Sequence, residues 1–260
     1  HGLKKGQLVI SEEMLAKVIT GYTREAGVRR LEQVLAKLCR KAARHIADGG
    51  RRLTVSNKNL EDLLGVAPFK KDVVTGKDEV GIVNGLAWTS VGGDTLQIEV
   101  NVMPGKGVLQ MTGQMGDVMK ESAQIALTYV RSVASDYGVK ENYFEKHDIH
   151  LHIPEGAVPK DGPSAGITMA TAMLSAVTGR KVLPRVAMTG EVTLRGHVLM
   201  IGGLKEKLLA ARMAQVEKVL VPAKNQPDVE ELSKEITKGM EIVYIKEMNE
   251  VIREAFVPEK

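Results

Sequence analysis

The sequence predicts an α/β domain of α+β character, with mixed sheets and packed helices, preceded by a small all-α helical bundle. Three observations point there: helix-period apolar spacing in the first quarter, extended segments bounded by Gly or Pro from Gly81 onward, and alternating helix and strand patterns after that.

Ser11 stands before EEMLAKVITGYT as a helix cap, and Val28, Leu31, Val34, Leu35 and Leu38 form one apolar stripe along VRRLEQVLAKLCRKAARHIADGG, which Gly49 and Gly50 end. These are two amphipathic helices. RRLTVS reads as a short strand and NLEDLLG as a short helix, whereas APFKKDVVTGKDEVG mixes Pro, Gly and charge without periodicity. The expected division is a helical domain over 1–68, a linker over 69–79 and a second domain over 80–260. In the second domain GIVNGLAWTSVGG, TLQIEVNVMPG and GVLQMTG are expected as hairpin strands, residues 116–138 as a long helix and DIHLHIP as a strand. GPSAGITMATAMLSAVTG is a helix apolar on nearly all sides, VAMTGEVTLRGHVLMIGG a strand pair, and the rest alternates helix, strand, helix, strand, helix.

The chain has 260 residues, 43% of them hydrophobic, which is enough to bury a core, but only 3% are aromatic, so few rings are left to stack on bases. Residues 1–66 carry 13 Lys or Arg against 7 Asp or Glu, a charge of +6, while the remainder is −2. That asymmetry predicts a basic module facing nucleotide phosphates or nucleic acid, with a merely solvated helix face as the alternative. The single cysteine, Cys39, excludes an internal disulfide and fits a reducing compartment, the cytoplasm. No run approaches the roughly 18 apolar residues of a membrane span, and HGLKKGQL has no signal-peptide core, so no membrane partner is expected. Starting at His rather than Met predicts a fragment.

In PKDGPSAG, residues 159–166, Pro163 suits the first position of a helix and Ser164 follows it. Free N–H groups and a positive dipole at that end would stabilise an oxyanion, so Ser164 is a candidate nucleophile; a plain helix cap is the alternative. Gly162, Ser164 and Gly166 also satisfy G-x-S-x-G, but those hydrolases need an acid and then a histidine downstream. His197 is the sole later histidine and only Glu191, six residues before it, intervenes as a carboxylate, so the triad order fails. A lysine can replace the histidine only if its pKa of about 10.4 falls, which burial achieves. Leu204, Lys207, Leu208, Ala211 and Ala214 share one stripe, so Lys207 points inward, while Lys205 lies with Leu209 and Arg212 and reaches solvent. An edge lysine snorkelling to water is the alternative. An inward lysine and a serine at a helix start are the base and nucleophile of Ser/Lys hydrolases.

PKDGPSAG, TGEVTLRG at 189–196 and IGGLKEKLLAA at 201–211 closely resemble the Lon protease family, as does the spacing of 43 residues from Ser164 to Lys207. GLAWTSVGGD, MPGKG and HIPEGAVPKDG extend the similarity through nearly all of residues 80–255. The resemblance implies an ATP-dependent serine endopeptidase in which Ser164 attacks the peptide carbonyl and Lys207 takes its proton, then passes it to the leaving amine. It implies that Thr189 holds the lysine by its hydroxyl, and that Asp161 pairs with the lysine in a latent, closed site. Trp88, Gly162 and Pro163 would border the substrate, with a core role open for Trp88. The first module resembles the helical lid of the AAA+ ATPase, notably in GYTREAGVRRLE, where Arg29 matches the arginine that senses the terminal phosphate of the nucleotide.

The sequence contains no G-x-x-x-x-G-K-[ST] loop, so no cofactor is expected for peptide hydrolysis; ATP and magnesium belong to the full-length protein through an ATPase part outside this sequence. No metal site is expected, because His150 and His152 lack a third ligand. The partners implied are unfolded proteins and peptides, a homo-hexameric chamber, and DNA through the basic helices. The rival reading is a non-enzymatic DNA- or partner-binding module carrying a latent Lon-like domain.

Overall fold

Residue 1–25, 27–69, 76–89, 92–154 and 159–258 segments are described in the computed structural model. Most of the expected linker, at 70–75, lies outside them, as do Ala26 of GYTREAGVRRLE, Ser90 and Val91 of GLAWTSVGGD, and residues 155–158 of HIPEGAVPKDG. The chain divides into two compact units, His1–Asp72 with Ser90–Gly92, and Val73–Thr89 with Gly93–Lys260.

In the first unit the strand β1 (Leu8–Val9) precedes α1 (Glu12–Val18), which Ser11 caps by accepting the N–H of Met14 at 3.2 Å. A π turn, Ile19–Thr23, ends that helix before α2 (Arg29–Ala47), β2 (Leu53–Thr54) and α3 (Leu60–Leu64). The start of α2 has no cap from its own N-cap residue; the Glu25 carboxylate accepts from the N–H groups of Arg30 at 2.8 Å and Leu31 at 2.9 Å instead. Met14, Val18, Leu38, Val55, Leu60 and Leu64 form the core, with Leu31, Val34 and Leu35 packed on it. Val28 departs from the expected stripe. It is 70% exposed, because the helix begins one residue later and Val28 is off its helical face.

The second unit begins with β3 (Glu79–Val80), β4 (Ile82–Thr89), β5 (Gly92–Pro104) and β6 (Leu109–Thr112), followed by α4 (Asp117–Val133), α5 (Tyr143–Lys146) and β7 (His147–His152). Then come α6 (Gly166–Thr178), β8 (Lys181–Val182), β9 (Val186–Met188), β10 (Glu191–Val192), β11 (Val198–Leu199) and α7 (Leu204–Met213). The chain finishes with β12 (Lys218–Pro222), α8 (Gln226–Glu230), α9 (Lys234–Thr237), β13 (Glu241–Ile245) and α10 (Met248–Ala255). Seven strands form one mixed sheet in the order β13-β12-β9-β4-β5-β7-β6, with β10 and β11 paired separately. The expected hairpin between β5 and β6 does not form: β7 inserts between them, antiparallel to β5 and parallel to β6.

The all-round apolar pattern of α6 is explained by its place: every residue but Ala176 and Thr178 is buried, between α4 and the sheet. Its hydroxyls are spent internally, Thr171 donating to the Ile167 carbonyl at 2.7 Å and Ser175 accepting from Gly81 N–H at 2.8 Å. Among the described residues no helix is long and apolar enough to cross a membrane.

Gly93 sets how closely α7 approaches the sheet, since a Cβ there would stand 1.9 Å from the Glu206 carbonyl oxygen. Backbone cannot yield as a flexible side chain does. Gly93→Ala should therefore cost about 2 kcal/mol or more and lower the melting temperature by roughly 4–8 °C, read by calorimetry.

Candidate active site

The turn that carries Ser164 is held from two directions before any chemistry is considered. Gly162 adopts φ +108°, which an L side chain rarely takes, and Pro163–Ala165 form a 3-10 turn that runs into α6. Upstream, the chain is stitched to the residues before α4: Gly116 N–H donates to the Lys160 carbonyl at 2.7 Å and Lys160 N–H to that of Gln114 at 3.0 Å. Asp161 adds a side-chain tie, one carboxylate oxygen accepting from Gly162 N–H at 2.8 Å and from Met119 N–H, in the first turn of α4, at 3.0 Å. Downstream, Gly190 N–H donates to the Ser164 carbonyl at 2.8 Å and Ile167 N–H to the Gly190 carbonyl at 3.1 Å.

Lys207 enters from α7 with Leu204, Leu208 and Ala211, and is only 2% exposed. Its Nζ donates to Thr189 Oγ1 at 3.0 Å, and the Thr189 hydroxyl donates to the Ser164 carbonyl at 3.2 Å. A hydroxyl has one hydrogen. Because that hydrogen is committed to Ser164, Thr189 can only accept from the amine, and the nitrogen lone pair stays free. Burial pushes Lys207 down from 10.5 to about 8, since removing water penalises the ammonium form. Thr189, fully buried, is fixed by its own N–H on the Leu220 carbonyl at 3.1 Å, one step beyond the end of β9.

Ser164 and Lys207 line one pocket of about 700 Å³ with Trp88, Asp161 and Pro163; Gly162 is not among the residues that line it. Trp88 is 62% exposed, which removes the core alternative, and its ring lies against Gly203, where a Cβ would meet Trp88 Cγ at 2.9 Å. Asp161 makes no ion pair with Lys207 in this conformation; its oxygen is taken by the two backbone N–H groups. Arg29 belongs to the helical unit, exposed at the first position of α2. His150 and His152 both bond the Thr112 hydroxyl, at 3.0 and 2.7 Å, and no cluster of three metal-ligating groups occurs among the described residues. Sequence reasoning passed over Met119, Met200 and Glu206 as pocket residues, and read Gly116 only as the start of the long helix, not as a neighbour of Asp161. A glycine directly before a helix start was the available signal for the last.

A serine at the start of a helix, and a dehydrated lysine joined to it through one threonine, hold the components of acyl transfer by a Ser/Lys pair. Residues 54–258 match the family described as Lon protease (S16) C-terminal proteolytic domain, and residues 1–55 that described as Lon protease AAA+ ATPase lid domain. The Lon protease of Lachnoclostridium phytofermentans is 53% identical over 99% of the chain. Lon protease 1 of Bacillus subtilis is 52% identical over 100% of it, and the Lon protease of Heliobacterium modesticaldum 54% over 99%. The chain belongs to the Lon protease family. It spans about a third of the length of these curated relatives, 37%, 34% and 32% respectively.

The buried amine has a thermodynamic signature. With a folded pKa below the unfolded value, Lys207 costs stability fully below about pH 8, and the cost fades as pH rises through 10.5, above which the amine is neutral in both states. Lys207→Met should therefore stabilise the fold by about 2 kcal/mol at neutral pH, with the gain shrinking by pH 10. Denaturant melts at both pH values test this, and a gain independent of pH would contradict it.

Proposed function

We propose that this chain is the peptidase part of an ATP-dependent serine endopeptidase, in which Ser164 is the nucleophile and Lys207 the general base. The observation that carries this reading is the dehydrated Lys207 amine, bonded to Thr189 and lining one pocket with Ser164. Neutral Lys207 takes the hydroxyl proton as Ser164 Oγ attacks the peptide carbonyl. The ammonium then gives that proton to the leaving amine as the C–N bond breaks, and water, deprotonated by the same amine, hydrolyses the acyl ester. The positive end of the helical run from Pro163 into α6 faces the developing oxyanion. Thr189 acts by orienting the amine, and Trp88 and Pro163 border the substrate. In the latent conformation the family resemblance implies, Asp161 would leave its backbone partners and pair with Lys207.

The expected domain division, a lid over 1–68, a linker over 69–79 and the peptidase over 80–260, is retained in this proposal. ATP and magnesium act on the full-length protein only. The residues present do not form a nucleotide cradle: the sequence lacks the phosphate-binding loop, and the N–H groups at the start of α2, beside Arg29, already bond Glu25. No catalytic step here depends on nucleotide. The partners proposed are unfolded proteins and peptides, a homo-hexameric ring enclosing the sites, a cytoplasmic setting, and DNA on the basic helical region. The DNA contact predicts a gel shift by the full chain that weakens steeply with salt and is lost in residues 74–260.

The decisive test is cleavage of casein, an unfolded protein, by the purified chain without ATP. Wild type should cleave, and Ser164→Ala and Lys207→Ala should each lose about 1,000-fold or more. The rate of peptide hydrolysis should climb as pH rises through about 8, following loss of the Lys207 proton. Retained activity in Lys207→Ala would overturn the choice of base.

A further inference from the structure

We infer that Asp161 is a positioning residue, and that it holds the Ser164 turn in its reactive shape by capping α4. This inference rests on Ser164 being the nucleophile. Helix α4 starts after Gly116, whose own side can offer no capping group, and its first-turn N–H groups need an acceptor from elsewhere. Asp161 supplies it: Oδ1 accepts from Met119 N–H, 42 residues away in sequence, and from its neighbour Gly162 N–H. One oxygen atom thus joins the start of a 17-residue helix to the glycine whose φ of +108° turns the chain into Pro163 and Ser164.

Gly116 is what makes room for this. A Cβ at that position would stand 2.4 Å from Asp161 Cγ and 2.6 and 2.7 Å from its two oxygens. The backbone at Gly116 has φ −69° and ψ 174°, a conformation open to any residue, so alanine is excluded there by the carboxylate and not by the backbone. When that Cβ is added, the end of the aspartate side chain is what must move. Gly116 lies three residues before the pocket residue Met119 and does not itself line the pocket, and the atoms nearest a Cβ there all belong to the Asp161 carboxylate, so the substitution acts first on that side chain.

The geometry separates this role from a clamp on Lys207. A clamp needs the negative charge of Asp161, whereas a cap needs only an oxygen that accepts, which asparagine retains. Peptide hydrolysis by the full chain is measured for Asp161→Asn, Asp161→Ala, Gly116→Ala and the double variant Gly116→Ala/Asp161→Ala, with Ser164→Ala as the blank. Expected is a loss of about tenfold or more in kcat for Asp161→Ala and Gly116→Ala, with KM within about threefold, rescue to within about threefold of wild type by Asp161→Asn, and no further loss in the double variant. Gly116→Ala at wild-type rate, Asp161→Asn as impaired as Asp161→Ala, or losses that multiply in the double variant would each overturn the inference. Rates that rise in both Asp161 variants would overturn it in favour of a restraining clamp. If Ser164→Ala matches wild type, it is the nucleophile assignment that fails, an outcome separate from all of these.

Discussion

The amine of Lys207 cannot be both buried and comfortable as an ammonium, and much of the second unit is arranged around that conflict. The cationic form is penalised by lost hydration, which brings the pKa to about 8 and raises the neutral fraction at pH 7 to roughly a tenth, far above that of a free lysine. A neutral amine in an apolar setting is free to rotate unless something receives one of its hydrogens. Thr189 does so, and because its own hydrogen is committed to the Ser164 carbonyl, one hydroxyl orients the lysine and ties it to the serine turn together. Charge state and direction are thus set by separate causes, burial for the first and a single directed hydrogen bond for the second.

Three elements must be correctly placed for that bond to exist, and each is fixed by packing against its neighbours. Helix α6 is buried on nearly every side, so the turn that feeds it cannot drift without disturbing the core. Strand β9 is held between β4 and β12, and its ladder continues through Thr189 to Leu220. Helix α7 lies close against Gly93, with no room for a side chain between them. A small residue is needed at that last approach because backbone meets backbone there. The exposed Trp88 ring on Gly203 shows the same economy at the pocket mouth, where a large apolar surface stays open to solvent.

Several parts of this arrangement were legible in sequence because they follow from periodicity along a single element. The 3.6-residue repeat separated inward Lys207 from outward Lys205, and the all-apolar stretch after Ser164 read correctly as a buried helix. The same logic erred at Val28, where a stripe was extended one residue past the helix start, and at β5 and β6, where closeness in sequence suggested a hairpin that β7 interrupts.

The sequence by itself determined the helix faces, the change from helical to extended pattern near Gly81, and the family to which the chain belongs, since these depend on local spacing and on residue identity. Only the tertiary structure decided which groups meet: that Trp88 faces the pocket and not the core, that Glu25 caps α2, and that the Asp161 carboxylate bonds the N–H of Met119 and not the amine of Lys207. The reason is physical. Periodicity is a property of one element and its own backbone, whereas a hydrogen-bond partner 42 residues away is chosen by the packing of every element between them.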